Sequence, residues 1–180
     1  TINRYAGIIW GNDLNAIIYD RWWNSRNSKT YIFSPSNPDI PTRVIVDRNY
    51  QDKYNDPGDF VTRKGKYGEN ILALDGNTAF LLGDGFSEKG QFPFLDQINL
   101  KSNKKNRTYE STYTDKFEQL YDYDISEKKL IIRIESKNEY PNYFTRILDE
   151  KNTLKQQTFF KNPFKNLENV GKELISYKRK

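Results

Sequence analysis

Short runs rich in aromatic and β-branched residues recur along this 180-residue chain in three sets of four, and each set opens with a tight turn. The first set occupies residues 5–10, 14–22, 29–34 and 42–47, and the second residues 70–74, 78–83, 93–100 and 106–110. The third occupies residues 117–124, 128–135, 142–149 and 154–159. Such side chains suit a pleated, half-buried surface, and Asn, Asp, Gly or Pro bound the runs as turn residues do. The first link of each set is short: Gly11-Asn12-Asp13, then Asp75-Gly76-Asn77, then Ser126-Glu127. The last link is a polar loop: Pro38-Asp39-Ile40-Pro41, then residues 101–105, then 150–153. The second runs align as Ala16-Ile17-Ile18, Ala79-Phe80-Leu81 and Leu130-Ile131-Ile132, 63 and then 51 residues apart. No window holds a convincing helical apolar period beyond about two turns.

Four-stranded antiparallel units recurring at about 40–50 residues are the pattern of β-propeller blades. The expectation is an all-β chain: a partial β-propeller of about three four-stranded antiparallel blades plus an exit strand. Blades are expected over about 5–47, 68–110 and 117–160, making residues 1–160 the C-terminal part of a propeller. The polar stretch 49–66, with Pro57-Gly58, reads as a long loop inserted between blades and accounts for the longer first period. A β-sandwich of similar strand count is the competing architecture. Three blades cannot close, since closed propellers use about 4–8, and the first residue is Thr1 rather than Met. Both suggest a part of a larger protein. Open strand edges would permit an edge-paired or strand-swapped homo-oligomer. Residues 161–172 read as a loop or short helical turn and 173–178 as an exit strand, the whole of 161–180 being a connector.

Composition removes many chemistries. The chain has no Cys and no His, hence no disulfide framework, no thiolate nucleophile and no Ser-His-Asp or Cys-His constellation. No catalytic residue, metal-ligand set or cofactor is expected. Gly85-Phe86-Ser87-Glu88-Lys89-Gly90 superficially suggests a nucleophile elbow, but the second glycine falls one residue late. Its glycines also miss dinucleotide-loop spacing. Asp122 and Asp124 lack the glycine and terminal Glu of a calcium loop. Asn106-Arg107-Thr108 matches the glycosylation acceptor pattern only as a short, cheap motif. The net charge of +5 is concentrated in residues 151–180, which carry +6, so the basic balance is not a folded nucleic-acid-binding face. No nucleic-acid partner is expected, and no apolar run reaches the length of a membrane span.

Several stretches carry a specific likeness. They are Arg4-Tyr5-Ala6-Gly7-Ile8-Ile9-Trp10, DRWWNSRNSKT (20–30), DRNYQDKYNDP (47–57), GDGFSEKGQFPFLD (83–96), ESKNEYPNYF (135–144) and the exit 164–180. In order and over nearly the whole chain, they resemble the propeller of the glutamyl-endopeptidase-like serine peptidases of the prolyl oligopeptidase clan. The resemblance implies that the exit leads into an α/β-hydrolase domain with the catalytic Ser, Asp and His. No such residue lies here, so this chain alone should be inactive. The implied partners are that hydrolase domain and a peptide substrate. The compartment is open, with a periplasmic or secreted location expected of a bacterial relative.

The candidate substrate-contacting residues lie in two places. Asp20-Arg21-Trp22-Trp23-Asn24-Ser25-Arg26 joins two strands of the first set and holds two Trp and two Arg. On a strand, Trp22 and Trp23 face opposite sides. The plain reading packs one Trp, leaves the other on a loop and solvates the arginines. The functional reading turns Arg21 or Arg26, with Trp22, toward substrate; Arg63, in the insertion, is a further candidate. Relatives favouring cleavage after Glu would require a cation, best a bidentate Arg. A stand-alone propeller binding another protein, or a carbohydrate-binding β module using Trp22 and Trp23, are the alternatives of another class.

Overall fold

The computed structural model describes residues 3–149, 151–167, 170–171 and 173–178. The first sheet is an up-and-down meander of β1 (Arg4–Asn12), β2 (Asn15–Trp22), β3 (Asn27–Phe33) and β4 (Arg43–Asn49), antiparallel throughout. Its first turn is set by Asn12, whose Oδ1 accepts from the N–H groups of Leu14 and Asn15 at 3.0 and 2.9 Å. This local closure is what makes Asn a turn residue.

The second sheet departs from a simple meander. After β5 (Asp59–Phe60), β6 (Thr62–Lys64) pairs with β7 (Asn70–Leu72), and β8 (Leu74–Asp75) forms a hairpin with β9 (Thr78–Gly83). A small ribbon of β10 (Phe86–Ser87) and β11 (Gly90–Gln91) leads to β12 (Phe94–Asn99) and β13 (Lys105–Glu110). The main sheet runs β13-β12-β9-β5, with β8 also on β9. The third sheet is again a meander of β14 (Phe117–Asp124), β15 (Lys129–Glu135), β16 (Asn142–Ile147) and β17 (Leu154–Gln156). The chain is all-β: its main sheets, two of four strands and one of five, are antiparallel and form no closed barrel among the described residues, as fits part of a propeller-like fold.

Two sequence expectations need correction. The stretch 49–66 is not merely a loop: Phe60 and Val61 are buried, and their segment supplies β5 and β6. The reason is Asp59-Phe60-Val61-Thr62, a run short enough to be overlooked among polar neighbours. It is seated by Gly58, whose φ of +85° and close approach to the Leu82 backbone suit only a residue without a side chain. The second sheet therefore starts at Asp59, ahead of residue 68. The exit strand is also absent: residues 173–178 pair with nothing among the described residues, and Leu174 is 98 % exposed. An apolar run becomes a strand only where another edge accepts its backbone groups. The short helical turn expected before it is a 3₁₀ turn at Lys165–Leu167.

Packing follows strand alternation. In β9, Ala79 and Leu81 face the first sheet and join Ile17 and Ile32 in one apolar cluster. Phe80 faces the other way and joins Leu130, Ile132 and Tyr123 of the third sheet, its ring 5.2 Å from that of Tyr123. The middle sheet is thus buried on both faces, whereas β15 alternates buried Leu130, Ile132 and Ile134 with the more exposed Ile131, Arg133 and Glu135. Each fully buried Leu or Ile contributes about 1.5–3 kcal/mol.

Trp10 and Trp22 lie in strands of the first sheet and Trp23 in the turn between β2 and β3, while Leu130 lies in the third sheet. Leu130→Ala should cost about 2–5 kcal/mol and move the urea midpoint read by Trp fluorescence, because the sheets share their cores. A Trp transition left in place while the far-UV CD transition shifts would show the sheets to be independent.

Candidate functional site

The candidate residues Arg21, Trp22 and Arg26 meet at one end of the first sheet. Trp22 pairs with Asn27 across a four-residue connection, and the turn is closed by the Arg26 N–H donating to the Trp23 carbonyl at 3.3 Å. Arg26 adopts a left-handed φ of 57°, a conformation costing a non-glycine residue about 1–3 kcal/mol. Surrounding contacts hold it there. Its carbonyl accepts from the Tyr50 N–H at 2.8 Å, its guanidinium donates to the Tyr50 hydroxyl at 3.3 Å, and it stacks 4.0 Å from the Trp23 ring centre.

A buried carboxylate organises this end. Asp20 accepts from Asn3 Nδ2 at 2.8 Å, from the Lys29 N–H at 3.1 Å and from the Tyr31 hydroxyl at 2.6 Å. Asn3 also donates to Asn27 Oδ1, and Asn27 Nδ2 donates to Asp47. That hydrogen bond from Asn27, with Lys29 beside it, holds the Asp47 carboxyl below the usual carboxylate range. The network ties β2, β3 and β4 to Asn3, the residue that leads into β1.

Alternation then separates Arg21 from Trp22. Arg21 lies beside Tyr19 on the inner side, in a cleft of about 340 Å³ bounded by Arg48 and Tyr50, by Asp59 of the second sheet and by Asp84 just past the end of β9. Its guanidinium sits 4.7 Å over the Tyr50 ring. Arg48 is neutralised by Asp56 at 2.7 Å. Burial and nearby Asp59 push the Tyr19 hydroxyl far above its ordinary range. Trp22 is half-buried on the other side, with Arg4 stacked 5.7 Å from its ring, and Trp23 is 69 % exposed.

Arg4 and Arg21 occupy directly opposed positions on β1 and β2. Like charges so placed destabilise a strand pair, and neither has a carboxylate partner among the described residues. Together with Tyr5, Trp22 and Trp23 they line a second depression of about 380 Å³. A carboxylate arriving at this end would find uncommitted guanidinium groups, which are suited to bidentate recognition.

Arg63 does not join them. It lies on β6 opposite Ile71, exposed, in a cavity of about 820 Å³ shared with Tyr121 and Asp122 of the third sheet. The next residue of β7, Leu72, packs beside Gly11 at the far end of β1. Arg4, Tyr50 and Asp20 were missed in the sequence. A hairpin count from the Asn12 turn comes near to finding Arg4, but irregularities between Trp10 and Asn12 and between Tyr5 and Gly7 together shift its partner by two residues.

Comparison with known proteins bears on this arrangement. The chain is 31 % identical over 98 % of its length to a probable chloroplastic glutamyl endopeptidase of Arabidopsis thaliana. It is 31 % identical, again over 98 % of its length, to the protein of the same name from Oryza sativa subsp. japonica. The chain is homologous to part of each of these two probable glutamyl endopeptidases. It spans about a fifth of the length of these relatives. No protein-family model matches it.

The Tyr31 hydroxyl, donated to Asp20, is pushed up to about 12 from its ordinary value near 10. A raised folded-state value means that stability is fully present below pH 10 and lost as pH rises toward 12. The difference in urea midpoint between the protein and Tyr31→Phe should therefore be constant to about pH 9.5 and narrow above pH 10. A difference that stays flat through pH 11 would contradict the hydrogen bond.

Proposed function

We propose that this chain is a non-catalytic, propeller-like portion of a serine peptidase of the prolyl oligopeptidase clan. It limits access to a hydrolase domain and contacts the peptide substrate. The parent would hydrolyse peptide bonds through a Ser-Asp-His triad lying outside these residues. The observation that carries the reading is Arg21: a guanidinium stacked on Tyr50 at a cleft mouth, opposed by Arg4 and without a carboxylate partner among the described residues. Such a group fits the carboxylate of a glutamyl residue in the substrate, the residue named in the homologues. Arg26 contributes differently, since its contacts with Trp23 and Tyr50 make it a support for the same end. Arg63, at the far end, has no part in that contact.

Loss of one charged hydrogen bond costs about 1.5–3 kcal/mol. In the full-length peptidase carrying this segment, Arg21→Ala should lower kcat/KM for a glutamyl substrate roughly 10- to 100-fold. The same change should leave the glutaminyl analogue nearly untouched, and Arg63→Ala should affect neither. Equal losses on both substrates would remove Arg21 from the recognition of charge. The chain by itself, having no His or Cys, should hydrolyse neither.

A further inference from the structure

The cleft that Arg21 enters does not end at the first sheet. Asp59 of β5 and Asp84, just past β9, line it from the side of the second sheet. The same two carboxylates line an adjoining pocket of about 240 Å³, bounded also by Pro93, Leu120 and Asp122 and by no basic residue. Neither Asp59 nor Asp84 forms an ion pair among the described residues.

Of the cations at the cleft, Arg48 is held by Asp56, Lys53 is exposed on the inserted stretch, and Arg21 is stacked on Tyr50. Charge therefore changes sign along one depression, from a guanidinium without a carboxylate partner to carboxylates where the cleft meets the pocket. The Asp59 charge reaches into the cleft, since it helps to push the Tyr19 hydroxyl upward. No three acidic groups among the described residues come close enough together to hold a metal ion. Carboxylates placed in this way suit an ammonium or guanidinium brought by an organic ligand.

The size of the cleft sets a spacing. A cavity of about 340 Å³ is about 7 Å across, and alternate side chains of an extended peptide stand about 6.6 Å apart on one face. Adjacent side chains point to opposite faces and cannot both enter. With Arg21 as the partner of the glutamyl carboxylate, the reading on which this rests, we propose that Asp59 and Asp84 select a basic residue two positions away in the same peptide substrate. Arg21 holds the carboxylate and the two aspartates hold the cation, both on one face of the extended chain. An acidic residue at that second position would meet like charge and be rejected.

Peptides of one length, carrying Lys or the uncharged norleucine at a single position, test this in the full-length peptidase that contains the segment. Lys is placed two residues before or two residues after the glutamyl residue. One of these placements should raise kcat/KM about 5-fold over norleucine, as a partly exposed charge pair allows. Lys directly beside the glutamyl residue should give no such gain, which separates a local contact from long-range attraction of a basic peptide. Asp59→Asn and Asp84→Asn should each reduce the gain and together abolish it, while the preference for glutamyl over glutaminyl substrates persists. Both side chains are exposed, so the variants should fold, and CD checks that they do. No gain at either placement, an equal gain at the adjacent position, or a gain that survives the double substitution would overturn the proposal. A glutamyl preference that depends on Arg21, with no gain from Lys, would overturn this proposal alone. A glutamyl preference untouched by Arg21→Ala would remove the assignment of Arg21 and this proposal with it.

Discussion

Everything in this molecule depends on a strand that is apolar on both sides. In β9, successive residues of Ala79-Phe80-Leu81 face opposite ways, and each way lies another sheet. The hydrophobic effect therefore acts twice across one backbone, and the sheets to either side are held to a common middle. A strand with one polar face could bind a single neighbour only. Hydrogen bonding adds a second tie, because the Tyr109 hydroxyl of the middle sheet donates to the fully buried Glu118 of the third at 2.7 Å. Arg146 stands 3.6 Å from the same carboxylate. Removing one partner from a buried pair of this sort is strongly destabilising.

The candidate site is a consequence of that stacking. Arg21 belongs to the first sheet, but the cleft it enters is completed by Leu82 of the second and by Asp84 just past the end of β9. Were the sheets not held together, there would be an arginine on a strand end and no cleft. Within the first sheet, Asp20 performs the corresponding local task, drawing Asn3, Lys29 and Tyr31 to one point and so fixing the strand ends from which Arg4, Arg21 and Trp22 project. The stacked guanidiniums over Tyr50 and Trp23 are worth about 0.5–1 kcal/mol each at such exposure. They restrict the arginines without neutralising them, which suits groups kept for an anionic ligand.

The parts of the fold legible in the sequence were those governed by local rules. Turn chemistry at Asn12 and at Gly76 marks the hairpins, and alternation in β15 marks a half-exposed sheet. The continuous apolar run of β9 marks a doubly buried strand. What escaped was decided by tertiary pairing. Phe60 and Val61 are only two apolar residues within a polar stretch, and they form structure because β9 and Ala73 offer them backbone partners. Residues 173–178 have a better strand composition and no partner, so they form none among the described residues. The site shows the same division. Arg21, Trp22 and Arg26 are neighbours in sequence and remain neighbours in space. Arg63 was grouped with them by charge alone and lies at the opposite end, while Arg4 joins them through a register that two irregularities in β1 conceal.

Native-state hydrogen exchange tests the dependence on the middle sheet most directly. Amides of residues 79–82 should exchange only through global unfolding, with the inner positions of β2 and β15 approaching the same opening free energy, as expected of one cooperative unit. Exchange at residues 79–82 that is faster than in β2 or β15 would contradict the account, because it would show the outer sheets standing without the strand held to join them.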